Sequence, residues 1–346
     1  MKYPKPLHKG STIAITAFSS GIAQDHLARF EVVTEHLKQQ GFHLVVGQCL
    51  LGQIKHVSAP LEKRVEELMA FLMDDDIDAI YPPWGGELAM ELLPLIDFSK
   101  LEKAKPKWIL GFSDISTISA VLTSKLQWAS AHCSNLMDLT PQATDPLTSN
   151  TLTYLATPLG EEFRQVASSM HANSWPDIVN KPSGGFIANT PSNWRWLVKP
   201  DSSSMIEGRL IGGCWDTLSH LFDTEYLDLS AFAKRYPEGV LLYLENAEMP
   251  PTEVARTILN MKFRGVFSHI NGLLLGRNAA SEPNSDQDLS YDEAIKIGLA
   301  CTGIPVMIDL DIGHLPPNLT LINGAVAKVE LDREKDGIGT LCQRLI

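Results

Sequence analysis

A β-prone run leads into a helical one in KWILGFSDISTISAVL, residues 107–122. The apolar residues 108–111 predict a strand, and the residues after Ser113 have helical character. A serine at such a strand-to-helix turn presents its hydroxyl near a helix N-terminus, where free backbone N–H groups can stabilise an oxyanion. The stretch therefore predicts an α/β fold with a candidate nucleophile at a strand end. Taken alone, however, Ser113 is better explained as the N-cap of the following helix.

The same alternation extends back to the N-terminus. Strands are predicted at 11–17, 43–47, 77–81 and 108–111, and helices at 27–37, 61–73, 88–96 and 115–122. Strands and helices that alternate at this spacing imply a parallel sheet with helices on its faces.

A second block of strands and helices follows a segment with little periodicity. Pro, Ser, Thr and Asn are frequent between 144 and 204, which is typical of a linker or an elaborated loop. Beyond it, strands are predicted at 240–244, 272–276 and 305–310, and helices at 253–263 and 291–299. We therefore expect an N-terminal domain at 1–160, a linker at 161–204 and a C-terminal domain at 205–346.

Composition excludes several classes of function. Of the 346 residues, 44% are hydrophobic and 20% charged, as in a soluble globular protein. A net charge of -12 disfavours nucleic-acid binding. No apolar run reaches the roughly 20 residues that cross a bilayer, and no signal-peptide core is evident, so we expect a cytoplasmic protein without a membrane partner. The five widely spaced cysteines, without a C-x-x-C pair, favour neither disulfides nor structural zinc.

Two further polar residues follow predicted strands. Glu245 comes directly after the apolar run 240–244, and His314 lies just beyond the strand predicted at 305–310, in a loop with Gly and two prolines. Open α/β sheets place ligand sites at strand ends, so Ser113, Glu245 and His314 form a coherent set. Separately, Glu245 is equally well explained as an exposed loop residue, and a lone loop histidine is more often structural.

Paired glycines complete the candidate site. Gly85 and Gly86 follow the strand predicted at 77–81 and allow close backbone approach to a ligand. A plain turn is the simpler alternative. The sequence contains no H-E-x-x-H motif, Walker loop or G-x-G-x-x-G that would compete with this set.

In combination these motifs resemble the LD-carboxypeptidase family of serine peptidases, which includes the microcin C self-immunity peptidases. The resemblance covers nearly the whole chain and is carried, in family order, by LHKGSTIAITA (7–17), EKRVEELMAFLMDDDIDAI (62–80), Gly85–Gly86, GFSD (111–114), GRLIGG (208–213), LEN (244–246) and GH (313–314).

The resemblance implies a fold, a mechanism and an assembly. The fold is a Rossmann-like parallel-sheet N-terminal domain with a smaller, β-rich α/β C-terminal domain. Ser113 is the nucleophile, His314 the base and Glu245 its orienter, and the N–H groups of Asp114 and of the Gly85–Gly86 turn form the oxyanion hole. No metal or organic cofactor is implied, and a homodimer is expected.

The substrate implied is a small peptide or a peptidyl nucleotide. Muropeptide-cleaving members commonly have Arg where this chain has Trp84, and microcin-cleaving members have Lys where it has Met249. Cys214 replaces a frequent Asn. Trp194 and Trp196 are expected to contact the substrate or, as an alternative, to pack in the core.

Four functions are compatible with these observations. The first is an LD-carboxypeptidase that releases a terminal D-amino acid from cell-wall muropeptides, and the second is a microcin-type peptidase acting on peptidyl or aminoacyl nucleotide analogues. A binding protein of the same fold without catalysis is disfavoured by the intact Ser/Glu/His set. An α/β-hydrolase esterase is disfavoured because Ile115 replaces the last Gly of the G-x-S-x-G elbow.

Overall fold

The N-terminal part of the chain forms a parallel sheet. The computed structural model describes residues 1–346 except 201–202, 282, 284, 286, 301 and 332–337. The sheet contains β1 (Thr12–Ile15), β2 (His43–Val46), β3 (Ala79–Ile80) and β4 (Trp108–Ile109) in the order β2-β1-β3-β4. Its helices are α1 (Leu27–Gln39), α2 (Leu61–Met73), α3 (Phe98–Leu101) and α4 (Ile115–Leu126). The predicted strand and helix alternation is therefore confirmed.

One predicted helix differs in type. The pattern at 88–96 forms a 3₁₀ helix at Ala89–Leu95 that contains Pro94. Proline has no N–H for an α-helical hydrogen bond and its ring crowds the preceding turn, so the tighter, shorter helix is adopted.

After α4 the chain forms β5 (Ser130–His132) and two short helices, α5 (Pro146–Ser149) and α6 (Thr151–Tyr154). The later strands are β6 (Glu162–Val166), β7 (Met170–His171), β8 (Thr190–Pro191), β9 (Arg195–Val198), β10 (Met205–Cys214), β11 (Val240–Glu245), β12 (Gly272–Gly276), β13 (Val306–Leu310), β14 (Leu321–Asn323), β15 (Val326–Glu330) and β16 (Thr340–Arg344). The later helices are α7 (Trp215–Leu218), α8 (Leu229–Arg235), α9 (Pro251–Phe263) and α10 (Tyr291–Leu299).

The C-terminal sheet has the order β6-β16-β15-β10-β11-β12-β13-β9. Strands β10 to β13 are parallel, and the flanking strands are antiparallel to their neighbours. The expected β-rich α/β C-terminal region is confirmed. The described part of this sheet has eight strands, against four in the N-terminal sheet.

The segment at 161–204 is more than a linker. Strand β6 pairs with β16 and strand β9 pairs with β13, so this segment supplies both edge strands of the C-terminal sheet. The linker prediction is corrected for these residues. Between the two strands, the β7–β8 pair and the surrounding coil fit the elaborated loop that was expected.

Helix α4 joins the two sheets. Its apolar residues share a core cluster with residues of β10 and β11, among them Ile118, Val121, Ile211 and Leu242. A Cβ on Gly213 would lie 2.3 Å from Ser116 Oγ, and the backbone N–H of Cys214 donates to that oxygen at 3.0 Å. This contact fixes the first turn of α4 against the end of β10.

The described cysteines form no disulfide. Cys49, Cys133 and Cys214 are buried and Cys342 is half-buried, while Cys301 lies outside the described residues. In the described ranges, no helix is both long and apolar enough to cross a bilayer.

Candidate active site

Ser113 occupies the sharp turn between β4 and α4. Its φ is 65°, in the left-handed region that a residue with a side chain rarely adopts. Gly111, two residues earlier, has a φ of 122°, and a Cβ there would lie 2.4 Å from Ile115 Cδ1. Ile115, at the position of the last Gly of the elbow motif, therefore packs directly against Gly111. The turn directs the Ser113 hydroxyl away from the helix, because Oγ lies 3.1 Å from His314 Nε2. The hydroxyl is thus not a helix N-cap.

Glu245 and His314 meet Ser113 from the C-terminal sheet. Glu245 ends β11, is 1% exposed, and its Oε2 lies 2.7 Å from His314 Nδ1. A Cβ on Gly313 would lie 2.3 Å from that oxygen, and the φ of Gly313 is 102°. Only glycine permits this approach of the loop after β13 to the carboxylate. The three predicted residues therefore form one hydrogen-bonded chain from Ser113 through His314 to Glu245.

The pKa of His314 results from opposed effects. Burial disfavours the imidazolium and lowers the pKa, but the charge and hydrogen bond of Glu245 raise it, with smaller contributions from Asp216 and Glu248. The net result is a pKa above the ordinary value of 6.5. The carboxylate therefore makes His314 a stronger base than a free imidazole.

We expect the acid limb of the kcat/KM profile to lie above pH 6.5, because only neutral His314 can accept a proton from Ser113. Activity should be lost as the pH falls through this raised pKa. Glu248→Gln removes one distant negative charge and should shift the limb to lower pH by a small amount. A limb below pH 6.5 in the wild type would contradict the electrostatics described for His314.

The Gly85–Gly86 turn lies against Ser113. A Cβ on Gly85 would be 2.7 Å from the backbone nitrogen of Asp114 and 2.9 Å from Ser113 Oγ. Within the described residues, the backbone N–H groups of Gly86 and Asp114 donate to no protein acceptor. These groups suit the predicted oxyanion hole, which stays a prediction.

The side chain of Asp114 has a structural task. It is 1% exposed, and its oxygens accept from Ser19 Oγ at 2.6 Å, from the N–H of Ala89 at 2.8 Å and from Thr117 Oγ1 at 2.9 Å. These bonds tie the turn that carries Ser113 to two neighbouring loops.

An aromatic cleft opens on one side of Ser113 and His314. It has a volume of about 510 Å³, with walls formed by Trp84, Phe112, Trp175 and Ile178 and polar atoms supplied by Asn135 and Asp138. The rings of Phe112 and Trp175 are stacked at 6.2 Å. Burial raises the pKa of Asp138 to about 6. The cleft can therefore hold a flat ring beside a hydrogen-bonding edge.

An acidic cavity of about 370 Å³ opens on the other side. It is lined by Glu87, Asp216 and Glu248, together with Cys214, Asn173 and Thr217. Burial and the charges of Glu248 and Asp114 raise the pKa of Glu87. Among the described residues that line the two cavities there is neither Lys nor Arg.

The structure brings most of the predicted site residues together but not the two tryptophans. Trp84 lies in the aromatic cleft, and Cys214 lies in the acidic cavity. Trp194 is 3% exposed and donates to Asp311 Oδ2 at 2.8 Å, and Trp196 donates to the carbonyl of Leu331. Neither lines a cavity beside Ser113: Trp194 belongs to a buried hydrophobic cluster, and Trp196 is partly buried and packs against it. These positions favour the packing alternative over substrate contact.

Trp175 is the aromatic residue that sequence reasoning missed. It lines both cavities and is 48% exposed. Its signal was a single large aromatic residue in the polar run Asn173-Ser174-Trp175-Pro176, where no hydrophobic pattern requires one. Across the described ranges, no group of His, Cys, Asp and Glu side chains is arranged to hold a metal ion.

This arrangement is the one found in serine hydrolases, in which a serine is hydrogen-bonded to a histidine and the histidine to a buried carboxylate. Two family models match the chain: the LD-carboxypeptidase N-terminal domain at residues 13–133 and the LD-carboxypeptidase C-terminal domain at residues 207–329. The chain belongs to the LD-carboxypeptidase family, peptidase family S66.

The relatives of this chain include putative carboxypeptidases and a microcin self-immunity protein. A putative carboxypeptidase of Vibrio cholerae is 26% identical, with 96% of each chain covered. The microcin C7 self-immunity protein MccF of Escherichia coli is 24% identical over 96% of this chain and 94% of that protein. The solved structure of an MccF-like protein from Streptococcus pneumoniae in complex with AMP has a TM-score of 0.77 and 25% identity, covering 96% of this chain and 98% of that one.

Proposed function

We propose that this protein is a serine peptidase that cleaves an amide bond through an acyl-enzyme on Ser113. The observation that carries the proposal is the continuous chain of hydrogen bonds, 3.1 Å from Ser113 to His314 and 2.7 Å from His314 to Glu245. Ser113 Oγ attacks the amide carbonyl while His314 Nε2 accepts its proton. The N–H groups of Asp114 and Gly86 stabilise the oxyanion, and His314 then protonates the leaving amine. Water, deprotonated by His314, releases the acyl group.

We further propose that the substrate joins an aminoacyl group to a part that contains a flat ring. The aromatic cleft supports this, because Trp84, Phe112 and Trp175 line it beside Ser113, and Trp175 is 48% exposed. A nucleobase would fit such a cleft, as would other planar groups. The AMP bound to the S. pneumoniae relative points to the same class of ligand.

A carboxypeptidase acting on muropeptides is the second candidate. The polar, peptide-sized acidic cavity and the names of the relatives favour it. Against it, a terminal carboxylate normally pairs with Arg or Lys, and the described lining of both cavities contains neither. The three acidic side chains would repel such a carboxylate.

A paired assay separates the two candidates. Purified protein is given aminoacyl sulfamoyl adenylates and, in parallel, a muropeptide tetrapeptide, and release of the nucleoside sulfamate and of D-alanine is measured. We expect cleavage of the adenylates, with much less release of D-alanine. D-Alanine release alone would overturn the proposed substrate class while leaving the peptidase mechanism in place.

The homodimer expected from the family is a separate proposal, to be checked by light scattering.

Trp175→Ala should raise KM for the aminoacyl adenylates by about tenfold or more, because it removes one stacking face. Hydrolysis of the tetrapeptide, if present, should change little. Trp196→Phe serves as the matched control, since Trp196 lies in strand β9 away from both cavities. Equal KM values for wild type and Trp175→Ala would remove this ring from substrate binding.

A further inference from the structure

A second histidine lies behind the triad, on the far side of Glu245 from His314. His132 belongs to β5 and is 1% exposed. Its Nε2 lies 4.0 Å from Glu245 Oε1, while the other oxygen of that carboxylate faces His314. Glu245 is therefore held between two imidazoles, one from the N-terminal part of the chain and one from the loop after β13.

Three atoms in this arrangement lack a hydrogen bond. Among the described residues, neither ring nitrogen of His132 has a hydrogen-bond partner, and Glu245 Oε1 accepts none. Buried polar atoms are almost always paired, and an unpaired carboxylate oxygen is especially unfavourable. His132 Nε2 and Glu245 Oε1 lie next to each other, so one hydrogen bond would pair two of these three atoms.

The charge state of His132 suits this bond. Burial, together with the nearby charge of His314, lowers the pKa of His132 to about 3. The ring is therefore neutral at physiological pH, with one N–H donor and one acceptor nitrogen. A neutral donor can hold a carboxylate without adding a positive charge beside the catalytic base.

Aromatic neighbours hold the plane of the His132 ring. Tyr243 contacts it edge to face at 5.4 Å, and Phe112 lies at 6.1 Å. The Tyr243 hydroxyl is itself fixed, because it donates to Asn323 Oδ1 at 2.8 Å. The ring is thus confined in a position from which Nε2 points toward the Glu245 carboxylate.

From these contacts we infer that His132 is a positioning residue of the triad. Its Nε2–H donates to Glu245 Oε1, and this bond keeps Oε2 turned toward His314 Nδ1. A shift of about 1 Å in either side chain closes the 4.0 Å separation to a hydrogen bond, and this bond does not depend on substrate. The inference rests on the proposed roles of Ser113, His314 and Glu245 but not on the identity of the substrate.

One other donor lies close to Glu245. Cys214 is its register partner on β10, and burial raises the pKa of the thiol well above its ordinary value, so it stays protonated. Its Sγ lies 3.7 Å from Asp216 Oδ2, and the thiol is also within hydrogen-bonding reach of the Glu245 carboxylate. A thiol is also a weak donor, which leaves the imidazole as the better partner for Oε1.

The test compares His132→Phe with His132→Gln. Phenylalanine keeps the ring packing and removes the donor, whereas the amide of glutamine can place an N–H near the position of Nε2. We expect His132→Phe to lower kcat by about tenfold to a hundredfold with KM within about twofold of wild type. His132→Gln should recover most of the lost kcat. Cys133→Ala, a buried neighbour in a hydrophobic cluster, controls for general loosening of this region.

A second measurement needs no substrate. The downfield proton NMR signal of His314 Nδ1–H reports its bond to Glu245, and it should move in His132→Phe and return in His132→Gln. Wild-type kcat in His132→Phe, or an unmoved signal, would overturn the inference. If His132→Phe does not fold, His132→Asn replaces it, because its shorter amide leaves Oε1 without a donor. A wild-type protein inactive on all substrates would instead refute the proposed function, and the NMR comparison would still decide the role of His132.

Discussion

Ser113→Ala should lower kcat by a factor of about 10⁶, to the level left by the oxyanion hole and binding alone. The reason is that attack and proton transfer both pass through one oxygen, which lies 3.1 Å from His314 Nε2. No other described hydroxyl is hydrogen-bonded to this imidazole, so none can replace it. The measurement is single-turnover hydrolysis of the best substrate in the paired assay.

Loss of this hydroxyl should barely affect folding. It removes one hydrogen bond at a half-buried position, which costs about 1 kcal/mol of the free energy of unfolding. The thermal unfolding midpoint should therefore stay near that of the wild type. Ser119→Ala is a suitable control, because Ser119 is a buried serine of α4 whose hydroxyl donates only to the carbonyl of Ser116 in the described residues. Full activity of Ser113→Ala would exclude the acyl-enzyme mechanism.

The sequence allowed prediction of the triad because each member depends on a local pattern. Apolar runs lead directly to Ser113, Glu245 and the loop of His314, and a buried strand that ends in a polar residue marks a sheet edge. The grouping of these three residues into one site was inferred from their order along the chain and from the family resemblance. Their distances needed the structure, because helix α4 and the approach of Gly313 to Glu245 determine them.

Long-range contacts explain why the sequence did not reveal strand β6 or distinguish the tryptophan in the site from the buried one. Strand β6 has a polar sequence because it is an edge strand with mostly exposed side chains, so its pairing with β16 leaves little local signal. Trp194 is buried because Asp311, which is far along the chain, accepts its N–H. Trp175 lies within polar coil and is exposed beside Ser113. The local composition is similar around both tryptophans. Only tertiary packing decides which of them is buried in the core and which lies in the site.

The role of backbone N–H groups in catalysis can be tested at Gly85. Gly85→Ala should lower kcat by about 10²- to 10³-fold, the usual loss when one oxyanion donor is removed. The added methyl group would lie 2.7 Å from the nitrogen of Asp114 and 2.9 Å from Ser113 Oγ, where the oxyanion and the attacking oxygen must meet. The φ of Gly85 is outside the left-handed region, so alanine adds no φ strain, but its Cβ would also lie 2.7 Å from Ser113 Cβ and would displace the turn.

This substitution affects Ser113 and the oxyanion position but not the pair formed by His314 and Glu245. In Gly85→Ala the bond from His314 to Glu245 is untouched, so the acid limb of the pH profile should stay where it is in the wild type. A fall in kcat without movement of the limb places the defect at Ser113 and the oxyanion position and not at His314. Gly86→Ala is a poor substitute, because at a φ of 146° it would add backbone strain and would also collide with Ser19 and Ser20. If Gly85→Ala keeps more than about a tenth of the wild-type kcat, the oxyanion must be stabilised elsewhere, because a methyl group this close to the Asp114 nitrogen leaves no room for it there.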